Sequence, residues 1–315
     1  MATVTAPAPG RRRRTPLARR EARWAYLFLA PWIVGFLVFY AGPMIASLWL
    51  SFTEYDVINP PEYTGLDNYR ELMSDPAVAR SLGNTVYYTA LHVPLVMVIS
   101  LGLALLLKRV GRLQGFFRTV FYLPVMTPAV AVGILFLLLL NTQDGLINRA
   151  LGLVGIDGPS WTTDPGWVMP GIILMSLWSL GSTVIIYLAA LQNVPRDLYE
   201  AASIDGAGPW ARFRSVTLPM ISGALFFTLI VNTIASLQMF TEVYTMYFGN
   251  RETQNTFNSD AASFYVIHLF QEAFQFLHMG FASAMAWLLF VIILIITLIQ
   301  VKLSNRFVYY EGEDK

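Results

Sequence analysis

Residues Phe281 to Val301 read FASAMAWLLFVIILIITLIQV, a stretch with no Asp, Glu, Lys or Arg in it. About 20 apolar residues wound as a helix cover the roughly 30 Å hydrocarbon core of a bilayer. Lipid offers backbone amides no partner, so a run of this kind satisfies its own hydrogen bonds as a helix. Working outward, five further charge-free runs appear at Trp24–Trp49, Asn84–Leu107, Thr119–Leu140, Val168–Leu191 and Met220–Phe240. The chain is 56% hydrophobic and 13% charged, about half the charged share of an ordinary soluble domain. The reading is an all-α, polytopic membrane protein with six transmembrane helices.

The basic residues set an orientation. Of the 21 Lys and Arg, seven precede Trp24, four lie between Lys108 and Arg118, three between Arg196 and Arg214, and three follow Val301. The alternate segments hold only Arg70, Arg80, Arg149 and Arg251. The positive-inside bias therefore predicts that both termini and the second and fourth loops of a multi-pass protein are cytoplasmic. Residues 1–23 read as a basic, disordered cytoplasmic start that meets anionic lipid, not nucleic acid. Residues 24–301 form the membrane domain and 302–315 a cytoplasmic tail. The first run is too long for a signal-peptide core and is expected to stay as an uncleaved span. Cysteine is absent, which excludes disulfides and thiolate metal sites.

Three external stretches connect the spans. Asn59-Pro60-Pro61 and Gly65-Leu66-Asp67-Asn68-Tyr69 mark turns leading into a short helix, and Asp144 to Asn148 opens the second stretch. The third, about 242–278, turns apolar at Tyr265, Leu269, Phe270, Phe274 and Phe276, the pattern of a surface helix entering the last span.

The fourth loop, 192–219, carries more pattern than a connector needs. Pro195 can open a helix, with Leu198, Ala201, Ala202 and Asp205 following at three- and four-residue spacings. Gly206-Ala207-Gly208 breaks that helix and Pro209 opens another turn, with Trp210, Phe213 and Thr217 on one side. Small Ala and Gly residues permit close backbone approach. On these residues alone, a helical corner suited to docking in another protein's groove and a structured link between two spans are equally good accounts.

The same loop reads Glu200-Ala201-Ala202, three residues, Gly206, nine residues, then Val216-Thr217-Leu218-Pro219. This resembles the EAA loop of ABC importer permeases, whose pattern is EAA, three residues, G, nine residues, I, any residue, LP; only the Ile is changed, to Val216. Leu191 to Pro195 and Asp205-Gly206-Ala207 look like the carbohydrate-uptake branch that includes maltose and glycerol-phosphate permeases. Similarity continues at Arg118–Pro124, Asp144–Leu153, Phe240–Tyr244 and Met279–Ala286. One departure is Tyr247-Phe248-Gly249-Asn250-Arg251, where the family often has a Thr-Gly-Gly-Pro turn; the large external insertion of some maltose permeases is also missing.

The resemblance implies a transmembrane subunit of a binding-protein-dependent importer moving a sugar-like solute. Its implied partners are a second homologous permease, two cytoplasmic ATPases and an extracytoplasmic solute-binding protein. The coupling residues it implies are Glu200, Ala201, Ala202, Asp205, Gly206, Trp210, Phe213, Leu218 and Pro219. Within that set Glu200 is a polar contact, a helix-orienting residue or part of a solvated face; Gly206 is the corner, and Trp210 and Phe213 are apolar anchors. Aligning from Pro219 and from Pro195 brings Asn232, Ser236 and Met239 on the fifth span, and Ser179 and Ser182 on the fourth, to the solute path, although serines in membrane helices also serve helix packing. Met239 stands where such permeases can have a polar residue.

The residues also limit the chemistry. The three lysines, Lys108, Lys302 and Lys315, complete no phosphate-binding loop, so ATP and Mg are expected on a partner chain and no cofactor on this one. No nucleophile or zinc motif suggests an enzyme. His92, His268 and His278 are scattered, which fits packing or hydrogen bonding better than metal binding. An ion-coupled secondary carrier is the alternative, disfavoured because the span centres lack the acids and bases that such carriers use.

Overall fold

The structure, a computed structural model, describes residues 16–249 and 260–307. Four apolar segments are long enough to cross a membrane, Arg23–Leu50, Pro76–Arg109, Ser222–Phe248 and Met279–Ser304, although the helix of the third of these stops at Leu237 and restarts at Thr241. Two more spans are bent pairs, Gly111–Met126 with Ala129–Leu139 at 96° and Pro165–Ser179 with Gly181–Asn193 at 51°. The expected six spans are present when each bent pair counts as one, but the third and fourth are not the straight helices that their apolar runs suggest.

Each break has a local cause. Thr127, just before Pro128, is extended with ψ 129°, because the proline ring disfavours helical geometry in the residue ahead of it. The fourth span breaks at Leu180-Gly181, where a Cβ on residue 181 would collide with the Phe121 carbonyl. Glycine thus lets the bent third span lie directly against the bend of the fourth.

The second span is the axis of the bundle. Asp75 caps it by accepting from the Ala77 amide at 2.7 Å, Pro76 occupies its first turn, and Lys108 and Arg109 complement the dipole at its far end. It packs against the second half of the fourth span and against the fifth. A core of Ala104, Leu107, Val184, Tyr187, Leu188 and Leu191, next to the loop 192–219, fills that junction. A separate core joins Tyr88, Phe136, Ile172, Met175, Val243 and Tyr247 further along. Between the two lies a polar cavity.

Several boundaries differ from expectation. The first helix starts at Pro16, inside the segment read as disordered, since Pro suits a first helical position and Leu-Ala-Arg-Arg-Glu-Ala-Arg favours helix. Residues 1–15 lie outside the described residues. The fifth span runs on to Phe248, and the last helix continues to Phe307, so the tail begins as helix; residues 308–315 are also outside the described set. The apolar window of the first span is not buried against the rest of the chain. It carries a ladder of rings four residues apart, with Trp32–Phe36 at 5.7 Å and Phe36–Tyr40 at 6.2 Å.

The first external stretch forms a small antiparallel hairpin pairing Thr53 with Tyr63 and Glu54 with Glu62. Asp56 receives hydrogen bonds from the Asn59 amide and side chain, both at 2.7 Å, which hold its carboxyl below the usual range. The third stretch holds a helix at Tyr265–Phe270, prolonged by a wider turn over Gln271–Gln275, but with Tyr265, Ile267 and His268 buried it packs into the bundle and is not the surface helix expected. Of the departing stretch after Tyr244, Tyr247 and Phe248 continue the fifth span, while Asn250 and Arg251 lie outside the described residues.

Candidate functional site

A cavity of about 200 Å3 opens between the second, fourth and fifth spans. Ser179, Ser182, Asn232, Ser236 and Met239 all line it. On the fifth span, helical spacing brings Asn232 and Ser236 to one face, whereas Met239, expected on that same helical face, lies past the helix end at Leu237 and reaches the wall from the non-helical link before Thr241. On the fourth, Ser179 and Ser182 straddle the bend at Leu180-Gly181, so the break that admits the third span also brings two hydroxyls to the cavity wall. Gln238 and Phe240, next in sequence, are not among the lining residues; Phe240 stacks on Tyr244 at 5.0 Å instead.

The second span adds residues that periodicity alone did not select. Tyr88 and His92, four residues apart on one helical face, stack at 4.8 Å with planes 11° apart and both line the cavity. The Tyr88 hydroxyl donates to Ser176 Oγ at 2.7 Å, and His92 Nδ1 lies 2.9 Å from Ser236 Oγ. Asn232 Nδ2 and His92 Nε2 are buried with no hydrogen-bond partner among the described residues. Buried polar atoms are ordinarily partnered, so the wall presents hydrogen-bonding capacity to a polar guest. Glu242, the lone carboxylate of the lining, could have been noticed as an acid closely following a charge-free span.

The loop 192–219 folds as the sequence suggests, as two short helices, Arg196–Ile204 and Pro209–Arg212. Gly206 has φ 78°, the left-handed geometry that closes a helix end. The amides of Gly206 and Ala207 return to the carbonyls of Ser203 and Ala202 at 3.1 and 2.9 Å. Arg212 Nη1 donates to Ser203 Oγ at 3.0 Å, and the Tyr199 and Thr217 hydroxyls are 3.0 Å apart. Side-chain bonds therefore tie the first helix both to the second and to the start of the fifth span.

The loop has two faces. Ile204 is 87% exposed, Trp210 71% and Leu198 40%, and Trp210 stacks on the half-buried Phe213 at 5.4 Å. Tyr199 and Val216 pack inward against the core of Leu107, Tyr187 and Leu191. Glu200, Ala201 and Asp205 are exposed, while Ala202, Leu218 and Pro219 are half-buried. Ile204 is an exposed apolar side chain that the sequence pattern did not single out; its mark was an apolar residue two before the glycine corner in an otherwise small or polar stretch.

Comparison with known proteins places the chain among transporters. Residues 97–309 match the family described as "Binding-protein-dependent transport system inner membrane component". The chain is 39% identical to the probable ABC transporter permease protein YesP of Bacillus subtilis (strain 168), over 94% of this chain and 95% of that one. It is 35% identical to the lactose transport system permease protein LacF of Rhizobium radiobacter, over 87% and 92% of the two chains. Its fold is similar to that of a chain in the crystal structure of a bacterial alginate ABC transporter in complex with alginate pentasaccharide-bound periplasmic protein. That match has a TM-score of 0.81 and 25% identity, covering 93% of this chain and 98% of that one.

Proposed function

This chain belongs to the binding-protein-dependent inner membrane transport family, is a permease and not an enzyme, and on that premise we propose that it imports a sugar or sugar-like solute. The observation that carries the solute class is the cavity: serine, asparagine, histidine and tyrosine groups around a partly apolar wall suit a guest with many hydroxyls and apolar ring faces. Lactose and alginate in the names of similar systems support the same class. The ion-coupled carrier reading receives no support from the family match.

In this reading the solute-binding protein delivers from outside, a second permease completes the pathway, and two cytoplasmic ATPases hold ATP and Mg. The loop 192–219 meets an ATPase through Leu198, Ile204 and Trp210, with Gly206 fixing the angle between its helices. ATP-driven closure of the ATPases moves the loop, and the spans around the cavity open alternately to either side. Ser179, Ser182 and Asn232 hydrogen-bond the solute, Ser236 holds the His92 ring at the cavity wall, and Met239 supplies apolar contact.

The test is ATP-dependent uptake from a sugar panel into proteoliposomes containing the co-purified complex and its binding protein, comparing wild type with Gly206→Asp. Uptake of one sugar that disappears in the variant together with ATPase association supports the reading. Uptake driven by an ion gradient without ATP, or undiminished in the variant, overturns it.

A further inference from the structure

The loop is joined to the fourth and fifth spans through the chain, but the second span, which carries Tyr88 and His92 into the cavity, has no covalent link to it. Val194 and Pro195, extended at ψ 120° and 137°, interrupt the helix between the fourth span and the loop. At its fourth-span end the loop's first helix can therefore pivot without turning that span, while its other end runs on into the fifth span. Coupling travels through packed or hydrogen-bonded contacts that join rigid elements, so the contacts at this corner decide what the loop can pull.

Lys108, in the last turn of the second span, makes two of them. Its Nζ donates to the Leu191 carbonyl at 2.8 Å, one of the helix-end carbonyls that the fourth span leaves without an intrahelical partner. The same Nζ lies 5.2 Å from the centre of the Tyr199 ring in the loop's first helix, within the range of a cation–π contact. Tyr199 is in turn paired with Thr217, where the chain re-enters the fifth span. Gln114 braces the corner, donating to Leu107 O at 3.2 Å and accepting from Gln192 at 3.1 Å. Two spans and the loop thus meet at one ammonium group, and the fifth span joins them through the Tyr199–Thr217 pair.

We propose that Lys108 and Tyr199 form a strut through which displacement of the docked loop is passed to the second span and so to the cavity. This rests on the reading that the loop meets an ATPase. Lys108 is a positioning residue: it touches neither solute nor nucleotide, and it acts by holding the loop helix at a fixed distance from the ends of the second and fourth spans. From Lys108 to Val96, which also lines the cavity, the second span is continuous helix on the near side of Pro94, about 18 Å long at 1.5 Å per residue, and it transmits an axial shift along that length.

The experiment uses the full complex in proteoliposomes and measures solute imported per ATP hydrolysed, with ATPase stoichiometry and thermal midpoint recorded in parallel. Lys108→Met keeps the apolar stem and removes the donor and charge. The expected result is solute per ATP reduced about fivefold, with the ATPases still bound and the midpoint unchanged. Lys108→Arg should restore most of the ratio, because guanidinium can both donate and stack. Tyr199→Leu should give the same decoupling, and adding it to Lys108→Met should produce little further loss. A wild-type ratio in Lys108→Met or in Tyr199→Leu, failure of Lys108→Arg to exceed Lys108→Met, or loss of the ATPases from these variants overturns the strut. Failure of the wild-type complex to take up solute with ATP instead overturns the reading of the loop itself.

Discussion

Ser236 and Ser179 separate two duties that a serine in a membrane helix can have. Ser236 is 3% exposed and bonded to His92, so Ser236→Ala leaves a ring nitrogen unpaired and should destabilise the protein by about 1 kcal/mol. A lower thermal midpoint of the detergent-solubilised complex would register it. Ser179 is exposed on the cavity wall and makes no side-chain hydrogen bond among the described residues. Ser179→Ala should therefore leave the midpoint alone and raise the half-saturating solute concentration severalfold; an unchanged transport curve would remove Ser179 from the solute path. Gly206 offers a similar contrast with Gly208. The first needs φ 78°, which costs a β-branched residue roughly 1–3 kcal/mol, whereas Gly208 has φ −69° with open space where a Cβ would sit. Gly206→Val should reduce co-purifying ATPase while Gly208→Ala should not, as a pull-down against the ATPase will register.

At the scale of elements, what the sequence displays and what it conceals depend on different physics. Apolar runs report lipid contact, so Phe281–Val301 announces its helix, and the EAA-like spacing announces the corner at Gly206. A bend inside a span leaves no clear trace in hydropathy, because the run around it stays free of charge and a few hydroxyls such as Thr127, Ser179 and Ser182 are common in straight membrane helices too. Pro128 was a visible marker, since a proline restrains Thr127 wherever it occurs. Gly181 was not, because its need for a bare Cα arises only from the Phe121 carbonyl sixty residues earlier in the chain. The cavity shows the same division. Helical spacing found Asn232 and Ser236 within one span, but the approach of Tyr88 and His92 is tertiary. Gly181→Val tests the interlock: backbone cannot yield as a side chain can, so overpacking there should cost at least 1–3 kcal/mol. The expected outcome is aggregation or a markedly lower midpoint on size-exclusion and thermal-shift measurement; a variant as stable as wild type would show that the bends do not depend on that contact.

For the whole molecule, the mechanism requires the cavity and the loop to answer to opposite sides of one membrane. The basic residues argue for this arrangement: the ends of the second and fourth spans that adjoin the core of Leu107, Tyr187 and Leu191 lie beside Lys108, Arg109 and Arg112 and beside Arg196, Arg212 and Arg214. The hairpin of the first external stretch carries Asp56 and Glu62 and no Lys or Arg. Negative membrane potential and anionic inner-leaflet lipid both favour retaining the basic ends inside. The native chain has no cysteine, so each introduced thiol is its sole target. Ile58, 80% exposed on the hairpin, and Leu113, 60% exposed in the second loop, are suitable positions. In intact spheroplasts a membrane-impermeant maleimide should label Ile58→Cys and spare Leu113→Cys, which should react only after permeabilisation. The reverse pattern would put residues 192–219 on the outer side with Leu113, beyond the reach of any cytoplasmic ATPase, and the coupling mechanism could not operate.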